Sequence, residues 1–320
     1  MVAIVRKVPT IRKAAPAGHA ARAGLFWGGL GVLAFSVSLP ATKVALRDLD
    51  PVFISIGRAV VAGLLAAIVL WRARAPLPSV AQVRGLLVVA AGVVFGFPLL
   101  TGYALRHVPS AHGSVVIGFL PAATAALSVL RNRERPSPVF WAAALVGSAI
   151  VVGFALRDGS GGLEIEDLML LGAVASAAIG YVEGARLSAA LGGARVICWT
   201  VLLVLPLTIP ITVFAGVQDG VRAGWKPWLA FAYLGCFSMF LGFFAWYRGL
   251  HLGGVARVSQ VQLLQPGLSL VWAAVLVGEH IDAFAILTTL AIVACVAVAQ
   301  RARISTATAA TDVELAPAVD

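Results

Sequence analysis

The chain of 320 residues is 60% apolar and only 12% charged, and its mean hydropathy is +0.96. So few charges cannot cover a soluble protein of this length, so most of its surface must face lipid. The formal net charge of +10 would suit nucleic acid in a soluble protein. Here the basic residues stand in short segments between apolar runs and do not alternate with exposed aromatics, which excludes a nucleic-acid binder and leaves orientation signals and anionic headgroups.

Residues 1–23 carry Arg6, Lys7, Arg12, Lys13 and Arg22 without the apolar stretch and cleavage site of a signal peptide, and are expected to form a basic cytoplasmic tail. A helix needs about 20 apolar residues to cross roughly 30 Å of hydrocarbon. Ten runs qualify, at about 24–45, 51–71, 84–105, 111–130, 138–156, 167–189, 195–216, 225–247, 254–277 and 281–300. Pro, Gly or charge separates them, as in Arg72-Ala-Arg74-Ala-Pro76-Leu-Pro78 and Arg131-Asn-Arg133-Glu-Arg135-Pro136. Residues 301–320, rich in Ser, Thr and Ala, are expected to be a disordered cytoplasmic tail.

With the N-terminus inside, cytoplasmic segments hold 17 of the basic residues and external ones hold six, namely Lys43, Arg47, Arg106, Arg157, Arg222 and Lys226. That asymmetry puts both termini in the cytoplasm and requires an even number of spans. Cys198, Cys236 and Cys295 lie inside runs without paired spacing, so they are small core residues rather than a disulfide or metal framework. Gly29-Leu-Gly31 loosely matches a dinucleotide fingerprint but sits inside a run with no preceding strand. It is taken, with Gly24/Gly28 and Gly92/Gly96, as small-residue helix packing. The chain has no phosphate-cradling Gly-Lys-Ser/Thr loop, no His-Glu-x-x-His and no Gly-x-Ser-x-Gly, hence no ATP engine and no protease signature.

The two halves resemble each other at an offset of 145 residues: Pro121 maps to Pro266, Glu134 to Glu279, Ala104-Leu105 to Gly249-Leu250 and Ala111 to Ala256. Five spans per half is an odd number, so residues 167–300 form a second repeat inverted relative to 24–156. The predicted fold class is therefore an all-α polytopic membrane protein of ten transmembrane helices in two inverted five-helix repeats. Inverted repeats mark transporters that work by alternating access, with a site near the midplane between the halves.

Charged and strongly polar groups inside the runs are functional candidates because lipid penalises them. Arg58 either neutralises a substrate carboxylate or pairs to hold helices together, and the reach of an Arg side chain favours the structural role. Lys43 is expected to snorkel, and Glu183 to pair with Arg186 one turn on. Gln262 and Gln265 share a face with Trp272 in the ninth run, which also holds Gln260, and Pro266 removes the bond to the Gln262 carbonyl. A freed carbonyl plus amides gives either a substrate-binding patch or interhelical glue. Phe35, Tyr103, Phe119, Tyr181 and Trp246 are placed to line a cavity or anchor at the interface, as Trp27, Trp71, Trp225 and Trp228 do. His112 and His251 lie at run ends, where a structural role is favoured over proton coupling.

The stretches Phe35-Ser36, Pro40-Ala-Thr-Lys43, Leu49-Asp-Pro51 and Arg58-Ala-Val-Val-Ala62 resemble the opening of the drug/metabolite transporter superfamily, EamA type. Phe35-Ser36 departs from that family's usual Trp-Gly. Gln265-Pro266 to Gly278-Glu279, and Pro121 to Glu134, are similar to its repeated signature, so the resemblance covers about residues 24–300. Through Ala245-Trp246-Tyr247 and Gly249-Leu250 it extends to ten-helix amino-acid exporters of the YddG kind. The resemblance implies a monomer-sized basket of ten helices in the bacterial inner membrane, exporting aromatic and other neutral amino acids or similar metabolites. The expected partners are a small-molecule substrate and membrane lipid, with no cofactor. The expected substrate path is Phe35, Ser36, Tyr103, Phe119, Tyr181, Trp246, Gln262 and Gln265, with helix breaks at Pro121 and Pro266 and a cavity lined by runs one, three, four, six, eight and nine. A drug or lipid flippase, or a membrane enzyme acting on lipid-linked substrate, are the rival readings; the enzyme would need a cluster of acids, His or Cys at one depth.

Overall fold

A computed structural model describes residues 18–132, 135–158, 164–219, 221–253, 258–301 and 304–305. All ten apolar runs are helical, the form that lets a chain in hydrocarbon bond its own N–H and C=O groups. Six helices are long and apolar enough to cross a membrane: Arg22–Ala45, Pro51–Arg72, Val80–His107, Ser110–Ser128, Ile165–Ser188 and Trp225–Gly249. The pair Gly193–Leu203 and Leu205–Gln218, bent by 56°, makes a seventh when taken as one span. Pro138–Phe154, Val261–Val277 and Ala283–Ala299 are shorter apolar helices.

Most of the irregularities inside the runs have an identifiable cause, a proline that withdraws a donor from the carbonyl four residues back. Run one breaks at Val37 between helices Gly18–Ser36 and Ser38–Ala45. Pro40 cannot serve the Ser36 carbonyl, which instead accepts from Ser269 Oγ at 2.8 Å. Run three widens into a π-helical segment, Ala90–Gly96, just before Pro98. Run four breaks between Ile117 and Leu120 ahead of Pro121, and run seven bends at Val204 ahead of Pro206. Run nine is a tight 3-10 helix over Ser259–Leu264 ahead of Pro266. Run eight widens over Leu234–Leu241 with no proline in that segment. The widened segments of runs three and eight, and the breaks of runs four and nine, recur at the offset of 145.

The most extensive helix packings all cross between the halves: run one on eight, three on six, two on seven and five on ten. Glycines set the closest of these. A Cβ on Gly31 would lie 2.9 Å from the backbone nitrogen of Trp246, and one on Gly249 would lie 2.9 Å from the Gly24 carbonyl. On the other side of the bundle, a Cβ on Gly92 would meet the Ser176 carbonyl and lie 3.0 Å from the Gly180 nitrogen. The small-residue contacts expected of Gly24, Gly28 and Gly92 are therefore interhelical seams.

The connections after runs one, three, five, seven and nine gather at one end. Gly224 N donates to Asp48 at 2.8 Å, Arg47 to the Val277 carbonyl at 3.3 Å, and His107 meets Glu166 at 2.9 Å. Arg157 lies over the Phe284 ring at 3.8 Å. At the other end Arg186 Nε donates to Glu183 at 3.1 Å, the local pair its spacing predicts, and Arg248 lies over Trp27 at 4.4 Å. There too, Arg135–Pro136 pairs antiparallel with Ile304–Ser305.

Gly29 and Gly31 separate packing from propensity on one helix, because a Cβ on Gly29 would meet nothing within 4 Å. Gly31→Ala should destabilise the protein by about 1–3 kcal/mol through overpacking. Gly29→Ala should be neutral or gain up to about 1 kcal/mol of helix propensity. Thermal unfolding in detergent checks the pair, and equal melting temperatures would remove the seam from the account.

Candidate functional site

Between the halves lies a narrow cavity of about 40 Å³. It is much smaller than an open small-ligand site, because its walls stand close together. It is lined by Phe35, Ser38 and Leu39 of run one, Val93 and Phe97 of run three, Ile117 and Leu120 of run four, and Ala177 and Tyr181 of run six. Ser238, Met239 and Phe243 of run eight and Gln265 of run nine complete the wall on the other side. These are the six runs the sequence predicts. Run two joins them through one residue, Arg58.

The irregular helix segments are what bring side chains to this space. Val93 belongs to the widened turn of run three, and Ser238 and Met239 to that of run eight. Ser38 opens the second helix of run one, and its Oγ shares a hydrogen bond with Ser238 Oγ at 2.7 Å. The rings form an edge-on cluster: Phe35 and Phe243 centroids are 4.9 Å apart, and Tyr181 and Phe243 are 6.2 Å apart.

Arg58 is only 6% exposed, and its buried Nε has no hydrogen-bond partner among the described residues. It does not snorkel outward, because the run that carries it is covered by runs three, seven and eight. Gln265 adds a buried carbonyl oxygen, Oε1, that also lacks a partner. The wall thus presents one cationic donor, one amide acceptor, hydroxyls and aromatic faces.

Of the residues predicted for a path, the structure brings Phe35, Tyr181 and Gln265 to the cavity. Gln262 and Gln265, eclipsed by the 3-10 turn, face a narrower cleft beside it, with Pro121, Pro266 and Gly118. There the two helix breaks face each other: a Cβ on Gly118 would lie 3.1 Å from Pro266 Cγ. The Gln262 carbonyl is not free, because the tightened turn lets the Gln265 N–H bond to it. Trp246 stands behind Phe35, at 6.4 Å between centroids, rather than on the wall. Ser36 Oγ donates to the Leu33 carbonyl at 2.8 Å and accepts from Trp272 Nε1 at 3.1 Å, tying run one to run nine. Phe119 packs near Gly147 of run five, and Tyr103, 39% exposed, lies off the cavity wall. Phe243, Ser38 and Ser238 were not among the predicted residues; Phe243, three positions before Trp246, is one helical turn from a residue that was.

At the end where the odd-numbered runs finish, charged side chains satisfy helix termini. Glu279 accepts from Ser110 N at 2.7 Å, Ser110 Oγ at 2.9 Å and Ala111 N at 2.7 Å, capping run four. Lys43 donates to the Leu105 and Val108 carbonyls at 2.7 and 2.9 Å, closing the C-terminus of run three. His112 bonds to Asp167 at 2.8 Å, both nearly buried, between runs four and six. Glu134 and the side chains of His251 and Gln260 lie outside the described residues. Among the described residues, no group of three or more His, Cys, Asp or Glu is arranged to hold a metal.

The EamA-like transporter family model matches the sequence twice, over residues 22–156 and 164–300. The sequence is 46% identical over 274 residues to "Uncharacterized transporter YdeK" of Bacillus subtilis (strain 168), covering 86% of this chain and 96% of that protein. A crystal structure at 21% identity superposes with a TM-score of 0.61, covering 87% of this chain and 96% of the other, which is a likeness of fold.

Glu279→Ala strips three bonds from the start of run four and should cost about 2 kcal/mol or more, with Glu279→Gln in between. Unfolding in detergent micelles measures this. An alanine variant as stable as the parent would show that the cap carries no weight.

Proposed function

This chain belongs to the EamA-like transporter family, and from that premise we propose that it exports neutral and aromatic amino acids, or similar small metabolites, by alternating access. That it is a multi-pass membrane transporter follows from the family. The single observation that carries the finer reading is the narrow cavity walled by both halves, whose lining combines aromatic rings with polar groups.

We take the ten runs as ten spans in two inverted repeats, 24–156 and 167–300, in the bacterial inner membrane with both termini cytoplasmic. The gathering of the odd-numbered connections at one end supports this reading, as does the pairing of Arg135–Pro136 with the chain after run ten. The recurrence of helix irregularities at one offset, and a family match that falls on each half, support the repeat. In the proposed cycle the pairs of runs one with eight and three with six rock as units about the facing breaks at Pro121 and Pro266. Phe35, Tyr181 and Gln265 touch substrate; Gln262 lies on the path between the breaks; Ser36, Phe119 and Trp246 hold the wall in place.

Proteoliposomes preloaded with labelled phenylalanine or leucine test the reading. Efflux down the gradient is expected for the parent protein. Tyr181→Ala and Gln265→Ala should lower it by about tenfold, the value of 1.4 kcal/mol of lost binding. Tyr103→Ala should leave it near the parent rate. Vesicles that retain every amino acid while releasing a lipid or a drug would replace this function with that of a flippase.

A further inference from the structure

Resting on the transport reading, we infer that the central cavity is a carboxylate site anchored by Arg58, taking a monoanion with an apolar body and requiring no ammonium group on it. The argument begins with charge. A guanidinium stays protonated in proteins, and a buried one needs a counter-ion or a full set of hydrogen bonds. Arg58 has neither among the described residues: no hydrogen bond or ion pair reaches it, and its Nε is buried and unpartnered.

Among the described residues, no Asp or Glu lines the cavity. Several of the described acids are engaged at the run ends: Glu183 with Arg186, Asp167 with His112, Glu166 with His107 and Glu279 on Ser110. Asp48 and Asp50 bind backbone N–H groups of connections and caps. Among the described residues the wall therefore holds a cation with no internal anion, and the missing partner comes with the ligand.

The remaining polar groups fix what the rest of that ligand can be. A carboxylate matches the planar fork of a guanidinium, which presents parallel N–H donors. An ammonium group would find one free acceptor, Gln265 Oε1, and hydroxyls, but no carboxylate. The edge-on rings of Phe35, Tyr181 and Phe243 offer apolar faces for a body of aromatic or branched aliphatic shape. An organic cation meets like charge in a low-dielectric space, the situation that rejects a wrong partner most strongly. The site thus selects on the acid end of an amino acid rather than on its amine end.

Three probes of one shape separate the groups: L-phenylalanine carries both charges, 3-phenylpropionate only the carboxylate, and phenethylamine only the ammonium. Release of each from preloaded proteoliposomes is the measurement. The parent protein is expected to move phenylalanine and 3-phenylpropionate and to exclude phenethylamine. Arg58→Gln should slow both acids by about tenfold or more and relax the exclusion of the amine. Arg58→Lys, which keeps the charge but not the fork, should retain the preference for acids at a reduced rate, and it decides the matter should the Gln variant fail to fold. Release of phenethylamine by the parent protein overturns the inference, and so do unchanged rates in Arg58→Gln or a lost preference in Arg58→Lys. Movement of phenylalanine without 3-phenylpropionate overturns the carboxylate site and leaves amino-acid export standing. Retention of all three overturns both.

Discussion

A backbone carbonyl in hydrocarbon must find its hydrogen bond inside the protein, and most departures from regular helix among the described residues answer to that constraint. An unbonded group costs several kcal/mol, so a proline in the middle of a span forces a local solution. Three kinds occur here. A side chain from another run takes the carbonyl, as Ser269 does for Ser36. The helix widens, as over Ala90–Gly96, or tightens, as over Ser259–Leu264, so that the ladder passes the proline with other partners. Side chains from several of these irregular segments, Ser38, Val93, Ser238 and Met239 among them, reach the central cavity. The prolines shape part of the cavity wall, and the proline-free widened turn of run eight shapes another part.

The same constraint distributes the charges. At the end where the odd-numbered runs finish, Lys43 and Glu279 occupy helix termini and leave neither carbonyls nor N–H groups stranded. These bonds join run one to run three and the end of run nine to run four, so that end is tied across the two halves. Arg58 is the contrasting case, a cation away from any helix end that borders the cavity, with its buried Nε unpartnered among the described residues. A charge that only caps and anchors would have been drawn to an end.

Much of this was legible in the sequence, because hydropathy, the asymmetry of basic residues and the offset of 145 are properties of the chain alone. Pro266 also announced its break, and Glu183 its pair with Arg186. What the chain alone does not carry is which way a side chain turns once its helix is no longer regular. Tyr103 and Trp246 were placed by helical spacing, yet they sit respectively at the half-exposed side of run three and behind Phe35. Ser238 and Met239 reach the cavity from a widened turn that no proline in that segment foretold. Gln262 illustrates the limit from the other side: losing one donor to Pro266 was readable, but not that the turn would tighten and give its carbonyl another. The outward reach expected of Arg58 is not seen for a related reason, since snorkelling depends on what covers a helix, and its cover comes from run three and from runs seven and eight of the other half.

The packing also limits how such a molecule can move. Where Gly31 meets the backbone of Trp246, and Gly92 that of Ser176 and Gly180, the helices are in backbone contact. Interfaces that close cannot slide without clashes, so each pair is best moved as one body. The breaks of runs four and nine are different: 145 residues apart in sequence, they face each other across Gly118 and Pro266 with only a narrow cleft between them. In the proposed transport cycle, the closely packed pairs move as units and the facing breaks supply the hinge, so the cavity changes its opening without changing the side chains that line it. On the transport reading, this lets one set of contacts hold a solute from either side of the membrane.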